Sequence, residues 1–176
     1  MENKSQPGVV YAKKLAAVCG LFCPSCTLYI GTQEDPERLK FLAAALKLPV
    51  EEVRCEGCRS TGARSFFCRE NCKMYKCAAD KGVDFCGSCP DYPCQELKDF
   101  QCAMPHRLEL WKSQERIRAA GPEKWYAEML EHYACPSCGA INSAYDIQCR
   151  KCGAEPGCAY VAGHKDEIIR RLGNMQ

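Results

Sequence analysis

Histidine is scarce in this 176-residue sequence: His106, His132 and His164 are the only three, and none belongs to a His-Glu-x2-His pair. That removes the usual zinc-hydrolase arrangement and leaves few bases that could activate a nucleophilic cysteine. Long apolar runs are missing too. The opening Met1 to Gly8 is polar, the stretch from Leu15 to Cys19 is too short for a signal-peptide core, and nothing approaches a membrane span. There is no excess of one charge. The net charge is +2 with cysteines neutral, and three sites of four thiolates around a dication would take it to about −4, which argues against a generic grip on nucleic acid. Gly57 to Gly62 has the spacing of a phosphate loop but continues Ala63-Arg64 instead of Lys-Ser/Thr, and no dinucleotide fingerprint or nucleophile elbow occurs.

What is abundant is cysteine, 17 residues in all. An odd count with repeated Cys-x2-Cys pairs fits metal ligation in a reducing cytoplasm better than a disulfide framework. Eight of them, Cys55, Cys58, Cys68, Cys72, Cys77, Cys86, Cys89 and Cys94, fall within forty residues, enough for two tetrahedral sites. This segment has few long apolar runs, so metal closing its loops is expected to order it more than a buried core does. Cys68 and Cys72 are four apart, the spacing of one helical face. Upstream, Cys19, Cys23 and Cys26 form a triplet one ligand short of four. The fourth could come from Cys102, from the central eight, from water or from a substrate. An iron–sulfur cluster here, and with it a redox role, is the alternative to zinc. The same triplet spacing occurs in radical S-adenosylmethionine enzymes, but this sequence has no repeated strand–helix units, and Ser25 stands where those enzymes place an aromatic residue. Downstream, Cys135, Cys138, Cys149 and Cys152 make two Cys-x2-Cys-Gly knuckles, which predict a zinc ribbon with strand-like positions at Ile141, Tyr145 and Ile147. Arg150, Lys151, Tyr145 and Tyr160 are the residues a nucleic-acid role would use, with nearby acids offsetting the charge. Cys102 and Cys158 read as structural or spare ligands.

The remaining pattern is helical. Asp35-Pro36-Glu37 starts a helix running to about Leu48, burying Leu39, Leu42, Ala43 and Leu46 and leaving Arg38, Lys40 and Lys47 in solvent. Asp80-Lys81-Gly82 reads as a turn, and Pro93 opens a helix carrying Cys94, Leu97 and Phe100. Residues 105–133 hold no cysteine and predict a helix pair broken at Gly121-Pro122, with Trp111 and Trp125 as packing anchors. A closing helix is expected over 163–172. The expected organisation is a flexible tail over 1–14, a cysteine-rich metal-binding domain over 15–104, a helical connector over 105–133, and the ribbon with its closing helix over 134–176.

The order Cys19-Gly-Leu-x-Cys23-x2-Cys26, Cys55-x-Gly-Cys58-Arg, then Cys68, Cys72, Cys77 and Cys86-x2-Cys89-Pro-Asp-Tyr-Pro-Cys94 resembles the domain of unknown function 3795 family over about residues 15–101. The resemblance implies zinc binding and a prokaryotic cytoplasm, and no established reaction. The expectation is therefore a small, metal-stabilised α+β protein holding two to four zinc ions. It would act as a structural, adaptor or protein-interaction module more than as an enzyme, with a protein partner favoured over nucleic acid.

Overall fold

A computed structural model describes residues 10–69, 72–102 and 104–173, apart from the side chain of Cys102. Among these residues the α-helices are α1 (Thr27–Gln33), α2 (Pro36–Leu46), α3 (Val50–Val53), α4 (Phe66–Arg69), α5 (Lys73–Asp80), α6 (Gln95–Cys102), α7 (Leu110–Ala120), α8 (Pro122–Tyr133) and α9 (Ala159–Gly173). Short 3-10 turns cover Lys13–Leu15, Cys23–Ser25, Cys86–Ser88 and Pro105–Arg107.

Local chemistry explains the clearest boundaries. The Asp35 carboxylate accepts the Arg38 N–H at 3.1 Å, capping α2 directly before Pro36. At the other end Lys47 turns left-handed (φ 55°), and the Leu48 N–H reaches back to the Ala43 carbonyl at 3.0 Å. Gly121, at φ 83°, makes the corner between α7 and α8, a conformation that favours glycine, and Pro122 opens the second helix.

The core is organised on α7 and α8. Trp125 is fully buried, with Phe22 and Phe85 meeting it edge-on at ring-centroid separations of 6.2 and 6.4 Å. Phe22 also stacks on Tyr133, which stacks on Tyr160 of α9. Gln114 of α7 is fully buried and spans two segments, donating to the Val18 carbonyl at 3.2 Å and accepting the Gly87 N–H at 2.6 Å. Leu39, Ala43 and Val53 form a small separate cluster under α2 and α3.

Several expectations are corrected. The α+β class does not hold: among the described residues there is no strand or sheet, only isolated bridges between Ala16 and Phe22 and between Ala134 and Ile141. Ile141 keeps its bridge to Ala134, whereas Tyr145 and Ile147 are not strand-like, for a local reason. Backbone donors over 143–147 are spent on a tight turn in which Ser143 N–H bonds Asp146 Oδ2 (2.7 Å), Tyr145 N–H bonds Ser143 Oγ (3.1 Å) and Ile147 N–H bonds the Tyr145 carbonyl (3.1 Å). The central segment is not held by loops alone, since Met74, Ala78, Phe85 and Leu97 are buried in the main core. Cys68 and Cys72 do not share a helix face: Cys68 is in α4, whereas Cys72 is extended and caps α5, its sulfur accepting the Tyr75 N–H at 3.4 Å. Arg38 is not in solvent. Its side chain is 18% exposed and forms a two-pronged pair with Asp146, 108 positions away, at 2.9 and 3.2 Å. Leu46 is 41% exposed instead of buried. The last helix begins at Ala159, four residues before the expected start, because Tyr160 and Val161 are core residues. Of the tail expected over 1–14, residues 1–9 lie outside the described residues, while Tyr11 and Ala12 pack against the core.

Candidate metal centre

Four cysteines converge. The sulfurs of Cys135, Cys138, Cys149 and Cys152 all lie within 4.8 Å of one another, and no other group of three or more Cys, His, Asp or Glu ligand atoms does so among the described residues. Cys135 and Cys152 are 3.7 Å apart and Cys138 and Cys149 are 3.6 Å apart. With metal–sulfur bonds of about 2.3 Å, the edge of a thiolate tetrahedron is about 3.8 Å, so the group is sized for one ion. A four-iron cube, whose irons are themselves separated, holds its thiolates farther apart.

The site is built from two copies of one turn. Cys135 donates its N–H to the Ala140 carbonyl (2.8 Å) and accepts the Gly139 N–H on its own carbonyl (2.9 Å); Cys149 repeats both bonds with Ala154 and Gly153 at the same distances. Gly139 (φ 74°) and Gly153 (φ 75°) supply the left-handed residue that each turn needs. The turns aim amides at sulfur: Ser137 N–H reaches Cys135 Sγ and Lys151 N–H reaches Cys149 Sγ, both at 3.4 Å. Burial raises the Cys149 thiol, but the amides of Cys152 and Lys151 and the Asn142 side chain outweigh it and hold its pKa down to about 6. Cys135 is likewise lowered, with the Ser137 and Cys138 amides overcoming burial. At Cys152 the Ala154 amide lowers the pKa, yet the other thiols and burial push it up to about 12. Crowding is the cause, and a bound cation is what relieves it.

Asn142 carries the support behind this site and was not singled out from the sequence. Fully buried, it donates from Nδ2 to the carbonyls of Ala140 (2.9 Å) and Gly157 (2.8 Å) and toward Cys149 Sγ (3.6 Å), while its Oδ1 accepts the Arg150 N–H at 3.0 Å. Arg150 is only 6% exposed: its guanidinium donates to the Ile141 carbonyl (2.8 Å) and to Glu34 at the end of α1 (2.7 Å). Tyr160 is buried too, donating to the Pro105 carbonyl at 2.6 Å, and Tyr145 pairs with His106 at 2.6 Å. Two residues named for a nucleic-acid role, Arg150 and Tyr160, are thus committed to internal contacts. Lys151 stays half-exposed, 3.8 Å from Glu34.

The other predicted ligands are placed more loosely, and all sixteen described cysteines are free thiols. Cys19, Cys23, Cys55 and Cys58 are buried; Cys77 is exposed; Cys26, Cys68, Cys72, Cys86, Cys89 and Cys94 are half-buried. Cys19, Cys23 and Cys26 do not form a compact triplet. Cys23 Sγ accepts the Cys58 N–H at 3.4 Å, and all three thiols are raised, by burial first and then by the charge of a neighbouring thiol, Cys58 for Cys19 and Cys23 and Cys55 for Cys26. Cys94 directly precedes α6, and Cys89 Sγ lies 3.7 Å from Lys81 Nζ. Cys158, fully buried at the start of α9, has its thiol raised by burial, which outweighs the lowering effect of the Val161 and Tyr160 amides. Cys102 ends α6, with its side chain outside the described residues.

The histidines lie apart from the sulfurs. Glu109 bridges two of them, meeting His132 Nε2 at 2.7 Å and His164 Nε2 at 2.9 Å, and so ties the start of α7 to α8 and α9.

Fold and site together define a helical, cysteine-rich protein with a four-thiol group that can hold a metal ion. Residues 15–99 match the family described as protein of unknown function (DUF3795), the stretch that the cysteine order from Cys19 to Cys94 marks out. The four-thiol group lies outside the matched residues. No curated protein and no solved structure matches the chain. Among the described residues no helix is long and apolar enough to cross a membrane.

Proposed function

We propose that Cys135, Cys138, Cys149 and Cys152 hold one zinc ion in a closed structural site, in a metal-stabilised binding or adaptor module. The observation that carries this reading is the convergence of four sulfurs at tetrahedral spacing on two matching turns. An all-thiolate tetrahedron selects zinc over harder cations, and four protein ligands leave no position for a substrate. A protein partner fits better than nucleic acid, because Arg150 and Tyr160 are used internally while Phe41 of α2 stands 72% exposed. A cytoplasmic setting, with its reduced thiols, belongs to the same proposal.

The test is metal analysis of anaerobically purified protein, with Cys149→Ser as the variant. Zinc bound to the native protein and one ion fewer in the variant is the expected result. An equal zinc content in the two proteins would overturn the assignment.

A further inference from the structure

A cleft of about 410 Å³ opens beside α5, and none of its lining residues is a cysteine. Its apolar side is made by Val18 and Ala78, both core residues, with Val83 and Tyr75, over whose ring the Arg64 guanidinium lies 4.8 Å from the centre. Its charged side is Lys13, Arg59 and Asp84, two cations against one carboxylate.

Arg59 is fixed before any ligand arrives. Its side chain is only 14% exposed: Nε donates to the Ala16 carbonyl at 2.7 Å, Nη2 donates to the Asp84 carbonyl, and the guanidinium lies 4.8 Å from the centre of the Phe85 ring. What remains for the cleft is Nη1, whose only hydrogen-bond partner among the described residues is the Asp84 carboxylate at 3.5 Å, long for a charged pair. Lys13 Nζ approaches both oxygens of that carboxylate, at 2.8 and 2.9 Å. Asp84 is thus an internal stand-in. It shows that the two cations take a carboxylate, and at 63% exposure its side chain can be displaced without unburying anything. One guanidinium nitrogen and one ammonium suit two carboxylate oxygens, whereas a forked grip on phosphate needs the Nε and Nη2 edge that the two backbone carbonyls already occupy. The cleft has the size of a ligand site, but it is open, so a free small molecule would stay largely wet there while a side chain on a passing peptide needs only one face covered.

We infer that this cleft takes an acidic side chain, Glu or Asp, from a protein partner, with the carboxylate between Lys13 and Arg59 in place of Asp84 and the residues flanking it against Val83 and Tyr75. The inference rests on the protein-partner reading and deepens it, and it is independent of the zinc assignment.

Amide chemical-shift mapping on the metal-loaded full chain tests it, with the capped peptide acetyl-Ala-Leu-Glu-Leu-Ala-amide as probe and the same peptide with Gln for Glu as control. The Glu peptide is expected to shift amides over 78–84 and at Arg59, and the Gln peptide to bind about fivefold more weakly. Asp84→Asn keeps the backbone carbonyl that Arg59 uses and removes the competing charge, so it should tighten the Glu peptide about three- to fivefold, and Lys13→Gln should weaken it by a similar factor, the range for one half-exposed ion pair. Both replaced side chains are more than half exposed, so the fold tolerates the changes. Equal binding of the two peptides, or weaker binding to Asp84→Asn, would overturn the inference. Sodium acetate or inorganic phosphate shifting the same amides as far as the peptide does would show an adventitious ion only, and would overturn it too. Shifts confined to α2 around Phe41 would overturn the cleft and leave the protein-partner reading standing, while no shift in the native chain or in Asp84→Asn would overturn the cleft outright. Zinc content of the same sample reports separately on the metal reading.

Discussion

Replacing Asn142 with alanine separates the scaffold behind the four-thiol group from the ligands themselves. The substitution removes the sole partner shown for the Gly157 carbonyl and for the Arg150 N–H, whereas the Ala140 carbonyl keeps the Cys135 N–H. Two buried groups left unpaired, at about 1–3 kcal/mol each, predict a loss of about 2–4 kcal/mol once water reaches part of the site. Cys149 also loses a donor to its sulfur. Outer partners of metal ligands typically contribute about 10–100-fold in affinity, or roughly 1.4–2.7 kcal/mol. Chelator competition on the full chain gives the affinity, and thermal unfolding of the loaded protein gives the stability. Asn142→Asp should be worse than alanine for metal affinity, since it keeps the acceptor for Arg150 N–H but puts a carboxylate against thiolates. An alanine variant whose affinity stays within about twofold of native and whose melting is unchanged would refute the role assigned to Asn142.

Three further outcomes follow from packing and charge. Burial raises the Glu109 pKa, but hydrogen bonds from His132, His164 and Lys112 outweigh it and hold it down to about 2. A depressed carboxylate stabilises above its unfolded pKa of about 4.3 and loses that contribution as pH falls toward 2, so Glu109→Gln should cost about 2–3 kcal/mol at pH 7, with the difference from native closing between about pH 4.5 and 2 in denaturant titrations. Gly57→Ala should lower the melting temperature by an amount equivalent to about 2–4 kcal/mol, because at φ 121° its Cβ would sit 2.5 Å from the Lys14 carbonyl oxygen. A double-mutant cycle on Arg38 and Asp146 should return a coupling of about 1–2 kcal/mol, since both side chains are largely shielded and paired bidentately. A value near zero would show that the pair does not tie α2 to the 143–147 turn.

The sequence was informative where the cause of structure is local. Asp35-Pro36 and Gly121-Pro122 mark helix ends with their own chemistry, and the C-terminal knuckles are set by spacing and two glycines. It was uninformative where the deciding partner is distant. Arg38 looked solvated because Asp146 is 108 positions away, and Asn142 carries no signal as a single asparagine, although it stands seven residues before Cys149. Of the strand-like positions expected, Ile141 is in the bridge to Ala134, while Tyr145 and Ile147 are not, because Ser143 and Asp146, with short polar side chains, drew the backbone donors into a turn.

The aromatic stack of Phe22 on Tyr133 on Tyr160, with the pairs Arg38–Asp146 and Glu34–Arg150, also sets an order in time. At about 5–20 residues per second, a ribosome finishing α2 needs on the order of 5–20 seconds more before residues 133–160 emerge. For that interval Phe22 has no ring to stack on, and the thiols of Cys23 and Cys26 have no finished core around them. The first cysteines made are thus among the last to be shielded, so the nascent chain meets the cell's metal and oxidant pools before its fold can choose between them.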